Sequence, residues 1–227
     1  YDKIIALTLY EKGKLIKNLN VEREKVVVIP NGIDDKPFNS AQCKMSTNVG
    51  TNHVVLYVGR MSKAKNIDLL IKAMNWVRGI KSIKLLLAGP DENMVMKLKN
   101  YAQKHDINLH YLGLVSEEEK RKLYSECSVF AHPAIYEPFG ITLLEAQAFG
   151  KPCVITGEGG QLYAAPPGRT SLHAEPTPKK FAKAILTLLT DKQLYEKLSA
   201  NARTWASQHT WSRILPTYEK IYNQLCE

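Results

Sequence analysis

The stretch Tyr136-Glu137-Pro138-Phe139-Gly140-Ile141-Thr142-Leu143-Leu144-Glu145-Ala146 decides how the rest of this sequence is interpreted. The apolar run Val129-Phe130-Ala131 just before it predicts a buried strand. Pro133 and Pro138 then prevent an early helix, so we predict that a helix begins near residue 140 and ends near 149. The stretch therefore predicts a strand, a loop and a helix in succession.

Two glutamates occupy different parts of this unit. Glu137 falls in the predicted loop, and Glu145 falls about one turn into the helix. Because helical side chains lean toward the helix N-terminus, we expect Glu145 to point back at the open backbone N–H groups near Gly140. Two acids beside such donors favour an anionic, hydroxyl-rich ligand. The alternative is that Thr142 and Glu145 form a capping box, in which both side chains only accept hydrogen bonds from the unpaired backbone N–H groups at the helix N-terminus.

The motif Glu-Pro-Phe-Gly-Ile-x-Leu-Leu-Glu over 137–145 resembles the signature of the retaining, nucleotide-sugar-dependent glycosyltransferases of the GT-B fold, family 4. The resemblance implies that Glu137 is the catalytic carboxylate that faces the donor sugar, and that Glu145 holds the nucleotide ribose. It also implies that the backbone around the Phe-Gly pair meets the diphosphate, which assigns donor binding to Phe139, Gly140, Ile141 and Thr142.

A second motif, Gly59-Arg60-Met61-Ser62-Lys63-Ala64-Lys65-Asn66, joins a predicted strand to a predicted helix. Its three cations lie near the N-terminal end of the predicted helix, where the helix dipole is already positive. Each cation there destabilises the helix by roughly a few tenths of a kcal/mol. A phosphate would convert this cost into binding energy through charge-assisted hydrogen bonds. The alternative is a solvated, lysine-rich loop that binds no ligand.

This second motif also resembles the diphosphate-binding loop of the same family. The resemblance assigns donor binding to Arg60 and Lys65 and leaves Lys63 without a role. Asn66 stands where the family often has glycine, and we interpret it as a helix N-cap.

Three weaker signals concern the surroundings of these motifs. The resemblance implies that Leu114 and Val115 contact the nucleotide base, whereas the residues alone indicate ordinary core. The small-residue turn 157–160 resembles the family, whereas 161–168 depart from the acidic helix usual there and leave the acceptor side undefined. We interpret His132, a single histidine near the first motif, as structural.

Outside the motifs, short apolar runs alternate with segments of helical spacing. Such alternation is typical of an α/β fold with a doubly wound, Rossmann-like parallel sheet, in which ligands bind at the carboxyl ends of the strands. The resemblance makes this sheet the C-terminal half of a GT-B fold. The predicted strands are 54–58, 83–88, 109–112, 129–131, 153–155 and 172–174, with helices at 66–77, 91–104, 140–149, 178–189 and 192–207 and one that begins at 116.

We divide the chain into four parts. Residues 1–37 end in Pro30-Asn31-Gly32-Ile33-Asp34, which resembles the end of the family's N-terminal domain, and we interpret them as a remnant of that domain. The polar residues 38–52 form a linker, and 53–209 form the nucleotide-sugar-binding domain. Residues 210–227 form a crossover helix, or alternatively a helix that covers the edge of its own domain. Since the first residue is not methionine, we expect a fragment that is inactive without the rest of the N-terminal domain.

Composition narrows the class of protein. The 227 residues are 44% apolar and 23% charged, which is ordinary for a globular protein, and no apolar run is as long as a membrane span. Four scattered cysteines suit a cytoplasmic location, with peripheral attachment to the inner face of the membrane as an alternative. We predict no metal and no cofactor, because no Asp-x-Asp and no His or Cys pair with ligand spacing occurs.

The sequence thus predicts the donor-binding half of a retaining, metal-independent glycosyltransferase. Its partners would be a nucleotide-sugar donor and a saccharide or lipid-linked acceptor held by the N-terminal domain. The alternatives are a nucleotide-sugar epimerase of the same fold and a non-catalytic nucleotide-sugar-binding module. The net charge of +9 also permits a polyanion-binding domain, but it is scattered and accompanies no nucleic-acid motif, so we predict no nucleic-acid partner.

Overall fold

The computed structural model describes residues 2–39, 53–77, 79–80 and 82–226, so nearly all of the predicted linker lies outside the described residues. The first of these ranges contains strand β1 (Ile4–Ala6), helix α1 (Leu9–Leu19), strand β2 (Val26–Val28) and the short helix α2 (Lys36–Asn39). Strands β1 and β2 pair in parallel. Helix α1 begins at Leu9 because the side chain of Thr8 caps it by accepting the N–H of Glu11.

The later ranges alternate between strand and helix, as predicted. In chain order the elements are β3 (His53–Val58), α3 (Ile67–Met74), β4 (Ile83–Ala88), α4 (Val95–Lys104), β5 (Leu109–Gly113), α5 (Glu117–Glu126), β6 (Val129–His132), β7 (Tyr136–Glu137), α6 (Ile141–Ala148), β8 (Cys153–Ile155), β9 (Glu158–Gly159), α7 (Gln161–Ala164), β10 (Ser171–His173), α8 (Pro178–Thr190), α9 (Lys192–Ser207) and α10 (Trp211–Cys226).

Within the described ranges, six strands form one sheet in the order β10-β8-β6-β3-β4-β5, and every neighbouring pair is parallel. Helices cover both faces because successive strand residues point to opposite sides. In β3, for example, Val55 and Tyr57 belong to one buried cluster, whereas Leu56 belongs to the other. The prediction of a doubly wound parallel sheet is confirmed.

Two helix starts differ from the prediction for local reasons. The helix predicted from residue 91 begins at Val95, because the carboxylate of Asp91 accepts the N–H groups of Met94 and Val95. Asn66 precedes α3 as predicted, but its side chain makes no cap; it donates instead to the carbonyl of Pro133 at 3.2 Å. Its left-handed backbone, with φ of 53°, explains why asparagine or glycine suits the position.

The last helix lies against the first part of the chain. Ile214 and Ile221 of α10 form a small apolar cluster with Ile29, and β1 and β2 contribute partly buried side chains to it. The backbone of Ile33 bonds on one side to His209 and on the other to Trp211. These contacts hold α10 against the first part of the chain, and the crossover interpretation of α10 stays a prediction. No helix within the described ranges combines the length and the apolar character needed to cross a bilayer.

Candidate active site

The two sequence motifs follow neighbouring strands at the centre of the sheet. Strand β3 pairs with β6, and the chain runs outward from β3 through β4 to β5 before it returns to β6. The strand order therefore reverses between β3 and β6. In open parallel sheets, the crevice at the carboxyl ends of such a pair is where ligands bind.

Lys65 and Glu137 meet at this crevice, although 72 positions separate them along the chain. The Nζ atom of Lys65 donates a hydrogen bond to Oε2 of Glu137. Both side chains are largely shielded from solvent, with 17% and 14% of their surfaces exposed. The structure therefore brings one of the two predicted cations directly onto the predicted catalytic carboxylate.

The carboxylate of Glu137 is held in its ionised form. Burial by itself would raise its pKa, but the polar contacts with His132 and Lys65 outweigh burial and lower the pKa to about 2. Glu137 is thus an anion throughout the neutral pH range.

His132 belongs to the same cluster, which the sequence interpretation missed. Its Nε2 lies 3.3 Å from Oε2 of Glu137, and only 3% of the side chain is exposed. Neither ring nitrogen has a hydrogen-bond partner among the described residues. We therefore treat the contact as electrostatic. The available signal was its position as the last residue of β6, at the ligand-binding edge of the sheet.

Arg60 is more exposed than Lys65 and already has an anionic partner. Its Nη1 lies 2.8 Å from Oε1 of Glu92, and 59% of the arginine side chain is exposed. The hydroxyl of Tyr57 donates to the carbonyl of Arg60 at 3.1 Å, which fixes the backbone of this loop. Glu92 lies in the loop after β4, and no motif marks it; only the pairing of β3 with β4 brings it to Arg60.

Glu145 does not point at Gly140 as expected. Its Oε1 accepts a hydrogen bond from Lys120 at 2.9 Å, and its Oε2 accepts one from the hydroxyl of Tyr124 at 2.7 Å. The ammonium group of Lys120 is a stronger donor than a backbone N–H, so the carboxylate turns toward α5. The capping-box alternative is also wrong, because α6 has no side-chain cap and Thr142 makes no such bond.

Lys120 links two acids. Its Nζ atom lies 2.9 Å from Oε1 of Glu117 and 2.9 Å from Oε1 of Glu145, and 17% of its side chain is exposed. Burial by itself would lower the pKa of Lys120, but the two carboxylates raise it above its ordinary value. A small cavity opens beside this group, lined in part by Ile33, Asp34, Pro37, Lys120, Tyr124 and Glu145.

The start of α6 offers backbone donors. Gly140 precedes the helix with φ of 92°, a conformation that favours glycine. Phe139 is buried, and its ring centroid lies 5.9 Å from that of Tyr163. The first N–H groups of the helix, including those of Ile141 and Thr142, have no acceptor within the helix and lie at its positive end. This end can receive an anion.

Leu114 and Val115, the predicted base contacts, differ in their surroundings. Leu114 is 79% exposed after the end of β5, so the alternative that it is ordinary core is wrong. Val115 packs against one of the two buried clusters, as a core residue would.

The small-residue turn 157–160 packs directly on the loop that carries Glu137. Strand β9 pairs in parallel with β7, and the N–H of Gly160 donates to the carbonyl of Glu137 at 2.7 Å. A Cβ on Gly160 would lie 1.8 Å from the carbonyl oxygen of Pro138. Glycine is therefore required at this position because two backbone segments approach closely.

The two motifs carry two cations, two carboxylates and a positive helix end, and of these groups the side-chain contacts join Lys65 and Glu137 directly. The cations and the helix end can neutralise phosphate oxygens, while carboxylates can accept hydrogen bonds from hydroxyl groups. Among the described residues, no group of three or more side chains with metal-binding chemistry is found.

The domain is a doubly wound parallel sheet with such groups at its topological switch point. This arrangement is typical of the class of α/β domains that bind phosphorylated, nucleotide-type ligands. The chain belongs to the family described as glycosyl transferases group 1, whose family model matches residues 42–205. Its fold is that of the C-terminal half of the GT-B glycosyltransferases.

The chain is also similar to curated glycosyltransferases and to a solved structure of the same fold. An uncharacterized glycosyltransferase of Methanocaldococcus jannaschii, MJ1178, is 27% identical over 100% of this chain and 60% of its own length. Mannosylfructose-phosphate synthase of Agrobacterium fabrum is 30% identical over 94% of this chain and 51% of its own length. The Anabaena protein HepE, solved with UDP-glucose, has a TM-score of 0.83 at 24% identity and covers 99% of this chain and 64% of its own. The chain thus spans little more than half the length of these curated relatives.

Proposed function

We propose that this chain binds a nucleoside-diphosphate sugar in the crevice between β3 and β6 and supplies the donor-binding half of a retaining, metal-independent glycosyltransferase. The observation that carries the proposal is the contact between Lys65 and Glu137 at the switch point of the sheet. Two relatives add support, because one holds UDP-glucose and the other is named as a synthase of a sugar phosphate.

The diphosphate would be bound by protein groups alone. Lys65 and Arg60 exchange their carboxylate partners, Glu137 and Glu92, for phosphate oxygens, and the N–H groups at the start of α6 complete the site. Neutralising the leaving diphosphate in this way stabilises the charge that develops as the glycosidic bond breaks.

Glu145 would bind the ribose of the donor. A carboxylate offers about four lone-pair positions, and Lys120 and Tyr124 occupy two of them in this structure. The others remain for the two ribose hydroxyls. Lys120 and Tyr124 therefore orient Glu145 without blocking it, and Leu114 and Val115 would lie against the base.

Glu137 would face the donor sugar and orient it by accepting its hydroxyl hydrogens. Transfer with retention then follows from departure of the diphosphate and attack by the acceptor on the same face. The acceptor, a saccharide or a lipid-linked saccharide, would contact the remainder of an N-terminal domain of which residues 1–37 are a part.

Thermal-shift measurements and calorimetry test the proposal. The ligands are UDP, GDP and ADP, each as the free nucleotide and with a hexose attached to its terminal phosphate. We expect one nucleoside diphosphate to raise the melting temperature and to bind equally well in EDTA. A protein that contains this chain should then release that nucleotide and form a glycoside whose anomeric configuration matches the donor. An altered sugar still attached to the nucleotide would indicate an epimerase, and binding without turnover would indicate a non-catalytic module. Absence of binding to all three nucleotides contradicts the proposal.

A further inference from the structure

His132 is buried directly beside Glu137 at the candidate active site. It is the last residue of β6, and its ring lies between those of Tyr57 and Phe130, with centroid distances of 6.2 and 6.5 Å. Both neighbouring rings are buried. Among the described residues, Glu137 is the only one whose carboxylate contacts the imidazole.

Both ring nitrogens of His132 are buried and have no hydrogen-bond partner within the described part of the chain. Leaving a buried polar group unsatisfied costs about 1–3 kcal/mol, so it calls for a reason. Its Nε2 is aimed at the crevice and is 3.3 Å from Oε2 of Glu137. A small rotation of either side chain would complete a hydrogen bond between them.

The same oxygen of Glu137 serves both neighbours. Oε2 accepts the hydrogen bond from Lys65 and is also the atom nearest to Nε2 of His132. If Lys65 turns to a phosphate, as the proposed function requires, Oε2 loses the ammonium that holds it. A largely buried carboxylate without a donor would then be free to rotate or to take up a proton.

We infer that His132 is a positioning residue, which donates Nε2–H to Oε2 of Glu137 once the diphosphate has drawn Lys65 away. This inference rests on the proposed function. His132 acts through Glu137 and does not contact the substrate itself. The hydrogen bond keeps Glu137 ionised and aimed at the sugar while the donor is bound. With the nucleoside diphosphate alone, Lys65 also leaves Glu137, but water in the empty sugar position can hydrate the carboxylate in its place. A bound sugar excludes that water, so His132 matters for a nucleoside-diphosphate sugar and hardly at all for the nucleoside diphosphate alone.

Two substitutions separate this role from simple packing. His132→Phe keeps the ring between Tyr57 and Phe130 but removes the N–H. His132→Gln places an amide N–H near the position of Nε2 and removes the ring. His110→Asn changes an exposed histidine on β5 and is the matched control.

Calorimetry with UDP against UDP-glucose, GDP against GDP-mannose and ADP against ADP-glucose provides the measurement. For the pair that binds, we expect His132→Phe to weaken the nucleotide sugar about tenfold, the value of roughly one hydrogen bond to a charged group, and to leave the nucleotide alone within about twofold. His132→Gln should restore most of the lost affinity. If His132→Phe does not fold, His132→Asn replaces it, because its amide is too short to reach Oε2.

The results that would overturn the inference are distinct. If His132→Phe binds each ligand with the same affinity as the unaltered protein, the positioning role is excluded. Equal weakening of both ligands, with a lower melting temperature and no rescue by His132→Gln, shows that the histidine only packs. If the unaltered protein binds none of the six ligands, the proposed function itself fails, and the inference fails with it.

Discussion

The ammonium group of Lys65 bonds to the carboxylate of Glu137, and this contact joins the loops after the two central strands of the sheet. It brings together two motifs that have no relation along the sequence. A cation and an acid that meet at a topological switch point form a site rather than an incidental surface pair, because both are largely shielded. The predictions below test the residues around this contact.

Lys65→Ala should weaken binding of the nucleoside diphosphate by roughly 10- to 150-fold, because the variant loses about 1.5–3 kcal/mol of charge-assisted hydrogen bonding. Lys63→Ala is the matched control, since it removes the same charge from an exposed position in the same turn. Calorimetry should show less than about a twofold change for the control. Equal losses in both variants would mean that only total charge matters.

Glu145→Ala should cost roughly 1.5–3 kcal/mol of affinity for the same nucleotide while the fold stays intact, because the ribose loses its acceptor. Glu118→Ala on the exposed side of α5 is the control. The measurements are titration calorimetry and thermal melting. Unchanged nucleotide affinity combined with a lower melting temperature would show that the carboxylate only anchors Lys120 and Tyr124.

Glu137 should stabilise the fold above the ordinary glutamate pKa and lose this effect as the solution becomes acidic. Its folded pKa of about 2 lies below the ordinary value of 4.5. The ionised form therefore contributes on the order of 3 kcal/mol at neutral pH, present above about pH 4.5 and lost as the pH falls toward 2.

Urea unfolding of the unaltered protein and Glu137→Gln at pH 7 and pH 3 measures this contribution. We expect the difference in unfolding free energy to fall to about half between the two pH values. Glu22→Gln, whose side chain is 68% exposed, should show little pH dependence. A difference for Glu137→Gln that does not change with pH would contradict the prediction.

Gly160→Ala should destabilise the protein by about 1–3 kcal/mol, because the new methyl group would meet the backbone of Pro138. Gly13→Ala is the opposite control. It lies within α1 with no atom within 4 Å of the added Cβ, so it should stabilise by about 0.5–1 kcal/mol. Thermal melting of the two variants should give shifts of opposite sign, and a neutral Gly160→Ala would show that the loop can move.

The sheet could be predicted because each strand leaves its own mark in the sequence. Val54 to Val58 and Leu85 to Ala88 are apolar without interruption, as is typical of strands covered on both faces. The position of Glu137 between β6 and α6 followed from the prolines beside it, although the short strand β7 that contains it was not predicted. These are local effects, which a chain shows before it folds.

The partners of the site residues could not be predicted in the same way. Glu92 reaches Arg60 only because β4 pairs with β3, and Lys120 reaches Glu145 only because α5 packs beside α6. Neither contact has a spacing that a motif could reveal. The direction of Glu145 was mistaken for this reason, since its donors come from another helix.

The pairing of each cation with an acid bears on selectivity against simple anions. Inorganic phosphate could compete for Lys65, but it carries no sugar hydroxyl groups to bond to the glutamate it displaces. A molecule in which phosphate and polyol are joined compensates for both partners at once. If the crevice binds a sugar nucleotide as proposed, we expect free phosphate to bind there much more weakly.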